Sequence, residues 1–271
     1  MTTKTCLITC AATMTLVSFA VPGLVAQRSD RCAERMTMEL LQPTGGVELL
    51  DVTAGAGNLR IEGSDAVSQI RVDAVLCASG ADRMEGLDVT LERSGSSAVL
   101  ETVFPERARG WNNGYARIDL VVSVPRGLDA RVVDGSGEAW ISGVGALDVE
   151  DGSGELTLRD IGGDLAVGDG SGELAISDVG GSVRMEDGSG EITLRGVDGS
   201  VTLHDGSGRV SIEAVTGDVE VLDKGSGQID VRNVDGGLHV EGTRRERIRY
   251  EGVRGEVVLP PARRRRGGQG R

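Results

Sequence analysis

Six copies of one short acidic motif carry most of the residues in this chain that could do chemistry. Each copy supplies an aspartate and a serine, and four copies also supply a glutamate. The motif reads "DGSGE" at 134–138, 151–155, 169–173 and 187–191, "DGSGR" at 205–209 and "DKGSGQ" at 223–228. Regularly spaced carboxylates could bind Ca²⁺, which takes oxygen ligands. A serine could act as a nucleophile if a base were held beside it.

The motif aspartates are the candidate metal ligands. If the copies stack at one corner of a repeating fold, their carboxylates form a column of Asp134, Asp151, Asp169, Asp187 and Asp205, which Asp223 would extend. Neighbours ~4.8 Å apart repel by only about 1 kcal/mol in water. We therefore expect a solvated column, in which each aspartate accepts a hydrogen bond from an amide two residues on. Weak Ca²⁺ binding stays open as the alternative, although Arg209 interrupts the row of glutamates.

The motif serines form a ladder of hydroxyls and not a catalytic site. A nucleophilic serine needs a positioned base. The chain has only two histidines, His204 and His239, and the repeat places both on outward strand positions two coils apart. We predict no catalytic residues and no enzyme activity. A polysaccharide-active β-helix is the least favoured alternative.

The elements that position the motif follow from its period. Cutting the chain before each "GSG" gives units of about 18 residues, and each unit splits into two nines such as "GSGELTLRD" and "IGGDLAVGD". Apolar residues stand at positions 5 and 7 of each nine, which is typical of a short strand with one buried face. The pattern predicts an all-β chain whose residues 135–261 form a parallel two-sided β-solenoid of about seven coils. One inward ladder should hold Leu156, Leu174, Ile192, Val210 and Ile229.

A three-sided helix is disfavoured because it would need an aliphatic residue at every sixth position. The repeated "GSG" has a geometric explanation in the two-sided solenoid. A tight corner needs a positive φ or a close approach of two backbones, and glycine allows both at little cost.

The regions on either side of the repeat are less regular. Residues 27–134 alternate as strands with longer connections and pass into the repeats without a linker, so we expect an irregular β cap that is continuous with the solenoid. Trp140 should pack against this cap. Residues 262–271, "ARRRRGGQGR", should be a disordered tail.

The first 26 residues are typical of a secretory signal peptide. Lys4 precedes an apolar run, and small residues end at Ala26. Cleavage would remove Cys6 and Cys10 and leave Cys32 and Cys77 as a candidate disulfide in an exported protein. No transmembrane span would remain after signal removal.

The charge of the chain is strongly acidic, at −13. Residues 243–271 hold ten arginines and three glutamates, a local +7, so the remainder carries −13 − 7 = −20. Nucleic-acid binding needs a basic surface, and we therefore predict no nucleic-acid partner.

An export signal, the segment "DVTAGAGNLRIEG" and coils of the type "DGSGELTLRDIGGDLAV" together resemble the bacterial putative-adhesin β-solenoid domains of envelope proteins. The resemblance covers roughly residues 45–260. It implies a secreted, periplasmic or envelope protein without catalytic residues, with a structural or adhesive role toward an envelope or extracellular ligand.

A partial similarity to calcium-binding parallel β-rolls suggests a calcium-responsive module as the alternative. The repeat lacks the Asp-x-aliphatic order of those rolls.

Overall fold

The computed structural model describes residues 32–105 and 114–262. The expected signal peptide and all of the expected tail except Ala262 lie outside the described residues. The strands of the repeat are β8 (Asp129–Ser142), β9 (Leu147–Asp151), β10 (Gly154–Ile161), β11 (Leu165–Asp169), β12 (Gly172–Val179), β13 (Val183–Val197), β14 (Val201–Val215), β15 (Val219–Leu222), β16 (Ile229–Val234), β17 (Leu238–Val240), β18 (Ile248–Val253) and β19 (Val257–Val258).

The repeat strands stack in parallel and in register, one coil on the next. Leu165 pairs with Val183, and Leu156 pairs with Leu174, each partner lying 18 residues further along the chain. Two stacks result, one from the first half of every coil and one from the second half. The predicted parallel β-solenoid of about seven turns is confirmed.

The core lies between the two stacks and is aliphatic. The predicted inward ladder of Leu156, Leu174, Ile192, Val210 and Ile229 is fully buried and in register. A second buried column, Ile161, Val179, Val197, Val215 and Val234, fills one corner. No coil buries its own face, so each relies on its neighbours for the hydrophobic contribution.

A polar ladder that the sequence analysis did not predict joins the coils at the turn before each second-half strand. A side-chain oxygen of one coil accepts a hydrogen bond from a backbone N–H of the next. Asp164 Oδ1 accepts from Ser182 N at 2.8 Å, and Ser200 Oγ accepts from Asp218 N at 3.1 Å. These bonds satisfy amides at the turns, which lie outside the strand ladders.

The N-terminal region adds eight elements. They are β1 (Glu34–Pro43), β2 (Leu49–Ala56), β3 (Leu59–Ser64), β4 (Gln69–Ala78), α1 (Ala81–Met84), β5 (Asp88–Ser94), β6 (Ser97–Val103) and β7 (Ala116–Pro125). β2 and β3 build a coil that pairs in parallel with β8 on one side and with β6 and β7 on the other. β4 and β5 pair antiparallel with β7 and β6 and cover their outer edges. This antiparallel layer caps the parallel stack.

Two further features belong to this region. Cys32 and Cys77 are joined by a disulfide, with their Cα atoms 5.4 Å apart. Within the described residues, no helix is long and apolar enough to cross a membrane.

Candidate functional site

The motif aspartates lie at the last position of each second-half strand, just before the Gly-Ser corner. Their register is unbroken along the stack, since Asp134 pairs with Asp151, Asp151 with Asp169, Asp169 with Asp187, and Asp187 with Asp205. Their side chains continue the inward alternation of the strand, as Leu165, Val167 and Asp169 show. We call these five residues the aspartate column.

The aspartate column is buried, and the expectation that it would be solvated is wrong. Its members are only 2–7% exposed. The physical reason is the period of the strand: the chain turns after the aspartate and not before it, so the side chain is still directed between the two stacks. Burial in the interior disfavours the charged form of a carboxyl group.

Few hydrogen bonds compensate this burial. Asp169 Oδ1 accepts from Ser171 N at 3.1 Å, which is the expected Asx-turn. Within the described part of the chain, both carboxyl oxygens of Asp134, Asp151 and Asp187 lack a hydrogen-bond partner, as does one oxygen of Asp169 and one of Asp205. Unpaired buried polar atoms are costly, so this column differs from an ordinary row of turn aspartates.

The pKa values of four column members, Asp134, Asp151, Asp169 and Asp187, are displaced upward. Burial, followed by repulsion from the next carboxylate, raises the pKa of Asp134 to about 7, of Asp151 to about 6 and of Asp187 to about 7. Burial also raises the pKa of Asp169, and the hydrogen bond from Ser171 opposes that rise. The column therefore holds acids that titrate near neutrality.

The sixth position of the column is occupied by Lys224 and not by Asp223, and the prediction for Asp223 is wrong. β15 follows β14 by 18 residues, whereas β16 follows it by 19, so one residue is inserted at this corner. Asp223 adopts a φ of 54° and faces solvent near His204, 3.3 Å from its Nδ1.

Lys224 turns inward and is fully buried. Its Nζ forms an ion pair with Asp205 and donates to the Gly208 carbonyl at 3.0 Å. At the opposite end, Asp134 pairs with Ala54 of β2. The column thus runs from a methyl group to an ammonium group. Two features of the sequence could have indicated this exception at the sixth copy. "DKGSGQ" has one residue more than the other copies, and Lys224 is one of only two lysines in the chain.

The corner beside the column is closed by stacked glycines. A Cβ on Gly172 would lie 1.7 Å from the Gly154 carbonyl oxygen, and one on Gly154 would lie 1.7 Å from that of Gly137. Gly137, Gly154 and Gly172 also have φ values of 140–152°. The positive φ and the close approach of two backbones, which the sequence analysis gave as reasons for glycine, therefore both occur at the last glycine of "GSG" in these three coils.

The motif serines are not placed for catalysis. None of the six is buried, and they follow the outer side of the corner. His204 contacts Asp223, and His239 Nε2 lies 2.9 Å from Glu241 Oε1, so each histidine has an acidic neighbour. In the part of the chain that the structure describes, no histidine is hydrogen-bonded to a motif serine.

The predicted metal ligands Asp134, Asp151, Asp169, Asp187 and Asp205 are brought together, but in a line. Among the described residues, no three His, Cys, Asp or Glu side chains are arranged to hold a metal ion. Calcium binding by the column stays a prediction that only a titration can test.

The outward strand positions form two rows with mixed chemistry. One row is Trp140, Thr157, Ala175, Thr193, Ser211 and Asp230, and the other is Asp148, Ala166, Arg184, Thr202, Glu220 and His239. Trp140 packs against the cap as predicted, with the guanidinium of Arg60 lying 3.9 Å above its ring. A cation over an indole face is favourable.

Comparison with known proteins gives structural neighbours only. No protein-family model matches the chain, and no curated protein matches its sequence. Similar solved structures include one described as a putative lipid binding protein from Parabacteroides distasonis ATCC 8503, at 15% identity over 83% of this chain and 96% of its own, with a TM-score of 0.42. Another is a putative adhesin from Parabacteroides merdae ATCC 43184, at 12% identity over 83% and 96%, with a TM-score of 0.40.

A third is a putative cell adhesion protein from Clostridium sporogenes ATCC 15579, at 13% identity over 83% of this chain and 98% of its own, with a TM-score of 0.30. Two of these three neighbours are named as adhesion proteins, and the third is named as a lipid binding protein. The TM-scores are too low for the neighbours to support an argument about function.

Proposed function

We propose that the mature chain is an exported, non-catalytic β-solenoid that acts as a structural or adhesive binding module of the bacterial envelope. One observation carries the proposal: the residue types of the interior repeat from coil to coil, whereas those of the outward rows change. Inward positions are occupied by aliphatic residues and aspartate, whereas outward positions change among aromatic, small, acidic and basic residues. Solenoids use such extended surfaces for binding.

The proposed ligand is an envelope or extracellular component that contacts one outward row. Purified residues 27–271 should associate saturably with native envelope fractions in a co-sedimentation assay. The chain offers surface variants with equal charge changes, because each row holds an alanine and a threonine within two coils of each other. Ala175→Arg with Thr193→Arg changes the first row, and Ala166→Arg with Thr202→Arg changes the second by the same charge.

One pair of substitutions should weaken the association by about tenfold, equivalent to about 1.4 kcal/mol, and the other should leave it unchanged. Both variants should keep the urea midpoint of the parent chain, which separates lost binding from lost folding. Equal association of all three proteins, or none for the parent chain, would contradict the binding-module proposal.

Export is tested separately. Mass spectrometry of the protein recovered from periplasm or medium should give a mature N-terminus at Gln27. Recovery only from the cytoplasm with an intact N-terminus would exclude an exported role.

A further inference from the structure

The aspartate column places buried carboxyl groups next to one another. Asp134, Asp151, Asp169 and Asp187 follow one another in register on adjacent parallel strands, and all four are buried. Two carboxylates cannot bond to one another, because both have only acceptor oxygens when ionised. Seven of the eight carboxyl oxygens of these four residues have no hydrogen-bond partner among the described residues. A proton on one member of each pair would convert these contacts into O–H···O hydrogen bonds.

The charged groups around the column do not supply an alternative. Lys224, between β15 and β16, is the one cation that contacts it among the described residues, and it pairs with Asp205. The other ionisable groups that line the groove over the column are Glu150, Glu186, His204 and Asp223. The strands after the corner begin with an outward row of Glu138, Glu155, Glu173, Glu191 and Arg209, all exposed. Full ionisation would leave four buried carboxylates against one another without a cation.

We propose that the aspartate column is a ladder of shared protons, which stabilises the solenoid at mildly acidic pH and loses this stabilising effect as the pH rises to neutrality. The protons come from solvent and return to it, and no bond other than O–H forms or breaks. Lys224 ends the ladder at Asp205, where an ion pair replaces the shared proton. Ala54 ends it at Asp134, where the partner is apolar.

The direction of the pH effect follows from the titration of the column. An aspartate in the unfolded chain has a pKa near 3.8, and the folded values for Asp134, Asp151 and Asp187 are about 7, 6 and 7. The folded chain therefore binds more protons than the unfolded chain between these values. Stability is fully present below the unfolded pKa and is lost as the pH rises through 6–7. Each such carboxyl lowers the ratio of folded to unfolded chain by up to about tenfold per pH unit in this window.

Urea unfolding between pH 5 and pH 8 tests the ladder. The midpoint of the parent chain should fall across this range and level off above it. The variant Asp151→Asn/Asp169→Asn/Asp187→Asn keeps the shape of the column and supplies its own N–H donors. Its midpoint should fall much less with pH than that of the parent, because Asp134 alone remains of the three carboxyls with pKa values raised to 6–7, and it should exceed that of the parent at pH 8.

Two control variants test whether the change of the urea midpoint with pH comes from the aspartate column. Glu155→Gln/Glu173→Gln/Glu191→Gln removes the same charge from exposed positions on the same coils, and it should keep the slope of the parent. His204→Gln/His239→Gln removes both histidines, the residue type that ordinarily changes charge near neutral pH, and it should also keep the slope. A parent midpoint that is constant or rises from pH 5 to pH 8 would overturn the proposal, as would an equal slope in the asparagine variant.

Infrared spectroscopy tests the same point without any substitution, in case the asparagine variant does not fold. The folded parent chain at pH 6 should show the C=O stretch of protonated carboxylic acids, and this band should disappear between pH 6 and pH 9. A spectrum with carboxylate bands only at pH 6 would show that the ladder holds no protons.

Discussion

Single residues decide the corner of this solenoid. Gly172 and Gly168 lie four residues apart in one coil, but only Gly172 stands where the backbones of successive coils touch. Likewise, Asp205 and Asp223 have the same place in the repeat, yet one is buried and the other faces solvent. The repeat sequence alone does not tell the two members of each pair apart, because the contact with the adjacent coil determines the role of each residue.

Gly172→Ala should strongly destabilise the chain, and Gly168→Ala should not. A Cβ on Gly172 would lie 1.7 Å from the Gly154 carbonyl oxygen, whereas the nearest atom to a Cβ on Gly168 is Glu150 Cγ at 3.9 Å. We expect a loss of about 3 kcal/mol or more in the free energy of unfolding for the first, at the upper end of overpacking costs. The second should change it by less than about 1 kcal/mol. Urea unfolding at fixed pH measures both, and similar midpoints would contradict the glycine stack.

Lys224→Met should strongly destabilise the chain. Removing one partner of a buried ion pair leaves an uncompensated charge and costs about 3–5 kcal/mol, and Lys224 and Asp205 form such a pair. The double variant Lys224→Met/Asp205→Asn should recover most of the lost stability, as measured by urea unfolding at pH 8. A single variant as stable as the parent would show that the ion pair does not hold the end of the column.

At the scale of the strand, alternation gave reliable predictions wherever the chain is regular. Positions 5 and 7 of each nine predicted the inward ladder, and the same parity predicted both outward rows. Parity also directs Asp169 inward after Leu165 and Val167. The expectation of solvated aspartates assigned them to the corner, where repulsion between neighbours in water is small, and not to the last inward position of the strand.

Two other features could not be predicted from local pattern. β2 and β3 lie between the repeat and the layer of β6 and β7, and Leu49 pairs with Asp129, 80 residues away. Such long-range pairing leaves no local periodicity. The replacement of Asp223 by Lys224 in the column depends on which of these two adjacent residues turns inward. The presence of an inserted residue does not decide between them.

Replacing a ladder residue should cost far more than replacing the serine of the same coil. Leu174 is buried, whereas Ser171 is exposed at the corner. Leu174→Ala should lower the free energy of unfolding by about 2–5 kcal/mol. Ser171→Ala should lower it by about 1 kcal/mol or less, because its backbone N–H still donates to Asp169. Comparable urea midpoints for the two variants would refute the assignment of inward and outward faces.

At the scale of the whole molecule, contacts between successive coils hold the solenoid together. Asp164 and Ser200, outside the motif, accept amides of the next coil, glycines permit close approach, and the aspartate column lies inside. The antiparallel layer at the N-terminal end covers strand edges that would otherwise be open to pairing with other chains.

Circular dichroism of residues 27–271 in a chelator, followed by addition of calcium, tests this central claim most directly. A metal-dependent β-roll gains its folding free energy from the ion, whereas here aliphatic packing and hydrogen bonds between coils supply it. We expect a full strand signal at pH 6 in chelator, and a signal and urea midpoint unchanged by millimolar calcium. A disordered spectrum that becomes rich in β-structure only after calcium addition would contradict the account and would make the aspartate column a metal site.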